Sequence, residues 1–177
     1  GDVIDRGPDD LRVLRDTMKR ENITLLLGNH EYMMLEALTK PDDADAMWIW
    51  YRNGGKFTHE HFKHCTHAYR AEVLEYIRRL PVETEVSVNG TEYVLVHGAP
   101  MSTFSASSRS RTAQEHAVWT RLGRNTPLIE GKMVIFGHTP THHYLPDFPM
   151  RIWHGRDKIG IDCGCAWGAA AVSWAAR

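Results

Sequence analysis

The stretch Thr84-Glu85-Val86-Ser87-Val88-Asn89-Gly90-Thr91-Glu92-Tyr93-Val94-Leu95-Val96, followed at once by His97-Gly98, carries the strongest fold signal in the chain. Two β-prone runs flank Asn89-Gly90, a dipeptide that favours a two-residue hairpin turn because both positions need positive φ. The second run stops abruptly in a polar cluster that contains glycine. Three other apolar runs end in the same way. Val3-Ile4 leads into Asp5-Arg6-Gly7, with Asp2 just before it. Ile23 to Leu27 leads into Gly28-Asn29-His30-Glu31, and Met133 to Phe136 into Gly137-His138-Thr139. In open sheets the groups at strand ends project into a shared crevice, and glycine lets the backbone turn sharply there. Asp2, Asp5, Asn29, His30, His97 and His138 are therefore expected to converge.

The intervening segments supply the layers. Pro8 starts a helix with Asp9 and Asp10 in its first turn, Lys19 and Arg20 in its last, and Leu11, Leu14 and Met18 as its apolar stripe. Ile23 to Leu27 reads as a strand buried on both faces. A helix is expected from near His30 to before Pro41, and another over Ala68 to Leu80, ended by Pro81. Trp48, Trp50, Tyr51 and Gly54-Gly55 form an aromatic patch beside a flexible turn. Lys132 to Phe136, Lys158 to Ile161 and Ala169 to Trp174 are further strands. Strand–helix alternation followed by hairpins implies an α/β (α+β) fold, a mixed sheet or two stacked sheets covered by helices, in a single domain spanning 1–177.

Composition narrows the function. The 177 residues carry 21 Lys and Arg against 22 Asp and Glu, a net charge of −1. So balanced a chain exerts no long-range pull on nucleic acid or an acidic membrane. No apolar run approaches the roughly 20 residues of a membrane span. Cys65, Cys163 and Cys165 are odd in number and lack framework spacing, which favours a reducing, cytoplasmic setting. Asp, Asn and His together offer oxygen and imidazole donors, a mixture suited to Mn, Fe or Zn rather than to a thiolate zinc site. An arginine such as Arg6 grips phosphate bidentately, so the pattern points to phosphate-ester hydrolysis.

Gly1-Asp2-Val3-Ile4-Asp5-Arg6-Gly7, Gly28-Asn29-His30-Glu31, His97-Gly98 and Gly137-His138-Thr139, in that order, resemble the successive signatures of the PPP-type serine/threonine protein phosphatases, which belong to the calcineurin-like metallophosphoesterases. Trp48 through Gly55, Trp119-Thr120-Arg121 and Ile161-Asp162-Cys163-Gly164 are most similar to the bacterial and phage branch. The resemblance implies two mixed β-sheets packed as a sandwich, flanked by helices. It implies two divalent metal ions, Mn with Fe, Zn or Mg as alternatives. Asp2 would bridge them, and Asn29, His97 and His138 would complete the second site. Arg6, Asn29 and Arg121 would hold the phosphate. His30, oriented by Asp5, would protonate the leaving alkoxide after direct attack of a metal-bound hydroxide. The implied substrate is a phosphoserine or phosphothreonine protein or peptide. The family's earlier Gly-Asp-x-His-Gly motif, whose Asp and His hold the first metal, has no counterpart here, so a truncated domain lacking that strand and those ligands is expected.

Two other functions fit parts of the pattern. A symmetrical diadenosine tetraphosphate hydrolase shares most of the motifs, but its relatives generally place Asp where Glu31 stands and lack the Trp-rich Asn-Gly-Gly segment. An inactive remnant serving as a binding module fits the missing first motif. Glu31 is expected to be a charge at a helix N-terminus rather than a general base. Crowded His59, His61, His64, Cys65 and His67 read as a solvated helical face, His142, His143 and His154 as surface, and Cys163 and Cys165 as strand-end packing.

Overall fold

A computed structural model describes residues 1–147 and 151–167. Backbone contacts divide the chain into two compact units, Gly1–Pro81 and Val82–Arg177.

The first unit is helical. Its helices are α1 (Asp10–Met18), α2 (Asn29–Thr39), α3 (Ala44–Trp50), α4 (Lys56–Lys63) and α5 (His67–Arg78). Their starts follow from local chemistry. The Asp43 carboxylate accepts the Ala46 N–H at 3.0 Å and the Thr66 hydroxyl accepts that of Tyr69 at 3.2 Å, each covering a donor the helix cannot satisfy itself. Leu14, Met34, Trp50, Val73 and Ile77 are fully buried between these helices. The expected aromatic patch splits accordingly: Trp50 is core, whereas Trp48 stands 58% exposed with Arg52 over its ring. The expected turn is present as a kink: Tyr51–Gly55 joins α3 to α4, and Gly54 at φ 108° breaks the helical path between them.

Ile23 to Leu27 corrects the expectation of a strand buried on both faces. Leu25 and Leu27 are buried, Ile23 is 40% exposed, and no strand is assigned there. An apolar run becomes a strand only where a neighbour takes up its hydrogen bonds. The Leu27 N–H finds one partner, the Pro81 carbonyl at 2.9 Å, and no ladder forms among the described residues.

The second unit holds a mixed sheet of β1 (Glu83–Val88), β2 (Thr91–Val96), β3 (Lys132–Phe136), β4 (Trp153–His154) and β5 (Lys158–Gly160), in the order β1-β2-β3-β5-β4. Helix α6 (Ala113–Trp119) lies between β2 and β3 in sequence. The hairpin forms as expected: β1 and β2 pair antiparallel through Asn89 (φ 52°) and Gly90 (φ 79°). Strands β2, β3 and β5 run parallel, with Val96 opposite Phe136 and Phe136 opposite Gly160. Their carboxyl ends therefore share one edge of the sheet, and His97, Gly137-His138 and Ile161-Asp162 follow there. Val94, Val96, Val134, Phe136, Ala117 and Leu122 make the core beneath that edge. Tyr144 stacks on Trp153 at 4.4 Å and meets Phe136 edge-on. The helix-flanked mixed sheet matches the expected fold class, and of the two sheets of a sandwich the described residues form this one. The strand expected over Ala169 to Trp174 lies outside the described residues.

Close packing ties α6 to the end of β2. The Gly98 N–H donates to the Ala117 carbonyl at 2.7 Å. A Cβ at Gly98 would lie 2.8 Å from that same oxygen and 2.9 Å from the Thr120 carbonyl, both backbone atoms. Gly98→Ala is thus expected to destabilise the protein by about 1–3 kcal/mol, as overpacked sites do. A urea melt of the variant checks this, and an unchanged midpoint would contradict it.

Candidate functional site

Five non-glycine residues have left-handed backbones among the described residues: Asp2, Asp5, Arg6, Asn89 and His138. Asn89 belongs to the hairpin turn. The other four are residues expected to hold metal (Asp2, His138), to hold the phosphate (Arg6) or to orient His30 (Asp5). Such conformations cost about 1–3 kcal/mol each and persist where the surroundings hold them.

In the first unit the holding group is Glu31. Its carboxylate is fully buried and accepts the N–H groups of Asp2 (2.7 Å), Val3 (2.8 Å) and Gly28 (3.0 Å). It sits in the first turn of α2, where the helix dipole favours negative charge. Glu31 thereby fastens the Asp2–Val3 segment to the N-terminus of α2, in keeping with the expected helix-terminal charge. Asp2 is drawn in further because its Oδ1 accepts the His30 N–H at 3.1 Å. Asn29, the first residue of α2, is buried beside His30.

His30 and Asp5 meet as expected. His30 Nδ1 lies 2.6 Å from Asp5 Oδ2, and both side chains are almost wholly out of solvent. Burial disfavours the charged imidazole. The hydrogen bond to Asp5 and the negative charges of Asp2 and Asp5 outweigh it, so the pKa of His30 is raised. Two further donors to Asp5 were not legible in the sequence. Trp50 Nε1 reaches Oδ2 at 3.0 Å and Thr58 Oγ1 reaches Oδ1 at 2.5 Å. Arg6 is exposed, with its Nε donating to the Asn53 carbonyl at 3.0 Å.

In the second unit His97 follows β2 and His138 follows β3. Their ring centroids are 5.2 Å apart, and one ligand atom of each lies within 4.8 Å of the other. The Gly137 N–H donates to the His97 carbonyl at 2.9 Å, which holds the two strand ends in register. His138 Nε2 lies 3.1 Å from the Trp119 carbonyl. With Nε2–H donating there, the lone pair falls on Nδ1, the arrangement that a carbonyl commonly imposes on a metal-binding histidine. Two residues after Trp119 stands Arg121, which is exposed. Its arm is fixed on both sides. Before it, the buried His116 ring bridges the hydroxyls of Thr103 (2.8 Å) and Thr120 (3.0 Å). After it, Tyr144 donates to the Leu122 carbonyl, and the buried Lys158 ammonium to those of Arg124 (3.2 Å) and Thr126 (2.7 Å). No sequence signal marks His116 or Lys158 for this work, because their partners are backbone or hydroxyl groups.

The remaining histidine and cysteine expectations hold in part. His142, His143 and His154 are exposed, as expected; Cys163 is buried, but Cys165 is exposed in a short helical turn, which corrects the expectation that it packs at a strand end. His59, expected on a solvated face, is instead half-buried in α4, where its ring pairs with the Tyr51 hydroxyl at 2.7 Å, because Trp50 and Tyr51 pack against it. No helix among the described residues is long and apolar enough to cross a membrane.

Residues 1–158 match the family described as calcineurin-like phosphoesterase, and the chain belongs to that family. It is 33% identical over 148 residues to serine/threonine-protein phosphatase 1 of Salmonella typhimurium (strain LT2), an alignment covering 79% of this chain and 63% of that protein. It is 31% identical over 100 residues to serine/threonine-protein phosphatase 2 of Escherichia coli (strain K12), covering 55% and 42% respectively. The chain thus spans less than two thirds of the length of these curated relatives. The family implies divalent metal ions, and the donors present fit them: a carboxylate, a side-chain amide and two imidazoles, with one imidazole oriented by a carbonyl.

Proposed function

We propose that the protein is one metallophosphoesterase domain acting as a phosphoprotein phosphatase on phosphoserine and phosphothreonine. The observation that carries this reading is the buried His30–Asp5 pair at 2.6 Å, set at the start of α2 beside the backbone contact to Asp2. Asp2, Asn29, His97 and His138 would hold divalent ions, manganese being the first choice. Bound there, such ions supply water activation and neutralise charge at phosphorus.

The chain's own groups account for the rest. Arg6, Asn29 and Arg121 bind and orient the phosphoryl oxygens, the guanidiniums through paired N–H donors. Asp5 holds His30 Nδ1, which leaves Nε2 to hand its proton to the departing serine or threonine oxygen. Water adds to phosphorus, the P–O ester bond breaks, and the products are the alcohol and inorganic phosphate. An alkoxide is a poor leaving group, so a placed acid is worth roughly 10²–10⁴-fold. A phosphoprotein is the proposed partner, in line with the names of both relatives.

The experiment compares a phosphoserine peptide with diadenosine tetraphosphate, with manganese present and then after chelation. Phosphate release from the peptide that chelation abolishes is expected. Faster cleavage of the dinucleotide would replace this reading by the dinucleotide hydrolase, and turnover of neither substrate by the binding module.

A further inference from the structure

We propose that Trp50 and Thr58 are positioning residues that act through Asp5, fixing the tautomer and direction of the His30 ring. The proposal rests on the reading of His30 as proton donor and adds two residues to it. A carboxylate held by one histidine is free to swing about its own bond. Asp5 is not. Oδ2 is shared by His30 Nδ1 (2.6 Å) and Trp50 Nε1 (3.0 Å), while Oδ1 takes Thr58 Oγ1 (2.5 Å). The three donors come from three helices, α2, α3 and α4, so rotation of the carboxylate would break bonds to several elements at once.

The surroundings are arranged for this contact. Trp50 and Thr58 are fully buried, and the Asp5 side chain is entirely out of solvent. A Cβ at Gly55 would lie 2.1 Å from Trp50 Nε1, so the absence of a side chain there is what lets the indole N–H sit where it does. Phenylalanine and valine would keep positions 50 and 58 apolar and buried but would leave the Asp5 carboxylate with His30 as its remaining side-chain donor. What the polar pair adds is direction. A fixed carboxylate accepts from Nδ1–H, so Nε2 is the nitrogen turned toward chemistry.

The test uses Thr58→Val, Trp50→Phe and Thr58→Ser in the full chain, with two readouts. The first is the His30 ring proton in histidine-labelled protein, assigned by its loss in His30→Asn. Thr58→Val and Trp50→Phe are each expected to shift that resonance and speed its exchange with water, and Thr58→Ser to restore it. The second is leaving-group dependence with manganese present. A misaligned acid slows a phosphoserine peptide roughly tenfold in kcat with KM unchanged, while p-nitrophenyl phosphate, whose leaving group needs little protonation, stays near the parent rate. A merely structural role would lower both substrates alike. An unchanged ring proton, equal losses on both substrates, or failure of serine to restore would each overturn the proposal. Should one variant fail to fold, the other decides. Absence of any hydrolysis by the parent would remove the phosphatase reading, and the ring-proton comparison would still decide whether Trp50 and Thr58 hold His30.

Discussion

His30→Asn is expected to slow hydrolysis of a phosphoserine peptide by roughly 10²–10⁴-fold while leaving bound manganese unchanged, which is the range assigned to one placed general acid. The two readouts separate because the residue contributes twice. Its ring pairs with Asp5, whereas its backbone N–H donates to Asp2 Oδ1. Asparagine keeps the second contact and the helix N-terminus, and gives up the proton. The loss should be smaller for p-nitrophenyl phosphate. Kinetics together with elemental analysis of the purified variant checks this. Turnover at the parent rate would show that some other group protonates the leaving oxygen.

Glu31→Ala is expected to have the largest effect on stability. Three backbone N–H groups, those of Asp2, Val3 and Gly28, would lose a charged acceptor inside the protein. Each buried donor left unmatched costs about 1–3 kcal/mol, so a total of about 3–5 kcal/mol is expected once water fills part of the gap. Glu31→Gln should also destabilise, because its amide presents N–H groups to backbone N–H groups. The left-handed Asp2 backbone would no longer be held, so manganese affinity should fall together with stability. Urea denaturation and metal titration measure the two. A stability change below about 0.5 kcal/mol, typical of surface substitutions, would rule out the clamp.

These expectations show which parts of the molecule were readable in advance. The hairpin was, because Asn89-Gly90 fixes the backbone within the turn itself and register follows from it. Strand β3 and helix α2 were also local in origin. The run Ile23 to Leu27 was misread because apolar composition says nothing of whether a partner strand lies alongside. At the site, the residue types and their placement after apolar runs were visible, and family resemblance supplied the roles. Glu31 was placed correctly at a helix start, but two of the groups it holds lie 29 and 28 residues away. Trp50 and Thr58 reach Asp5 across 45 and 53 residues, with no periodicity to connect them. Contacts of that kind arise only when separate helices are packed together.

The kink at Tyr51–Gly55 sets the phase between two helices that serve one carboxylate. Each residue of an α-helix advances about 100° around the axis. Removing or adding a single residue there would turn α4 as a whole relative to α3, and the Thr58 and Trp50 donors would part company. Surface connections usually absorb insertions and deletions easily. This one is instead a gauge block: its length sets the spacing, and the glycines at 54 and 55 set its bend and its clearance.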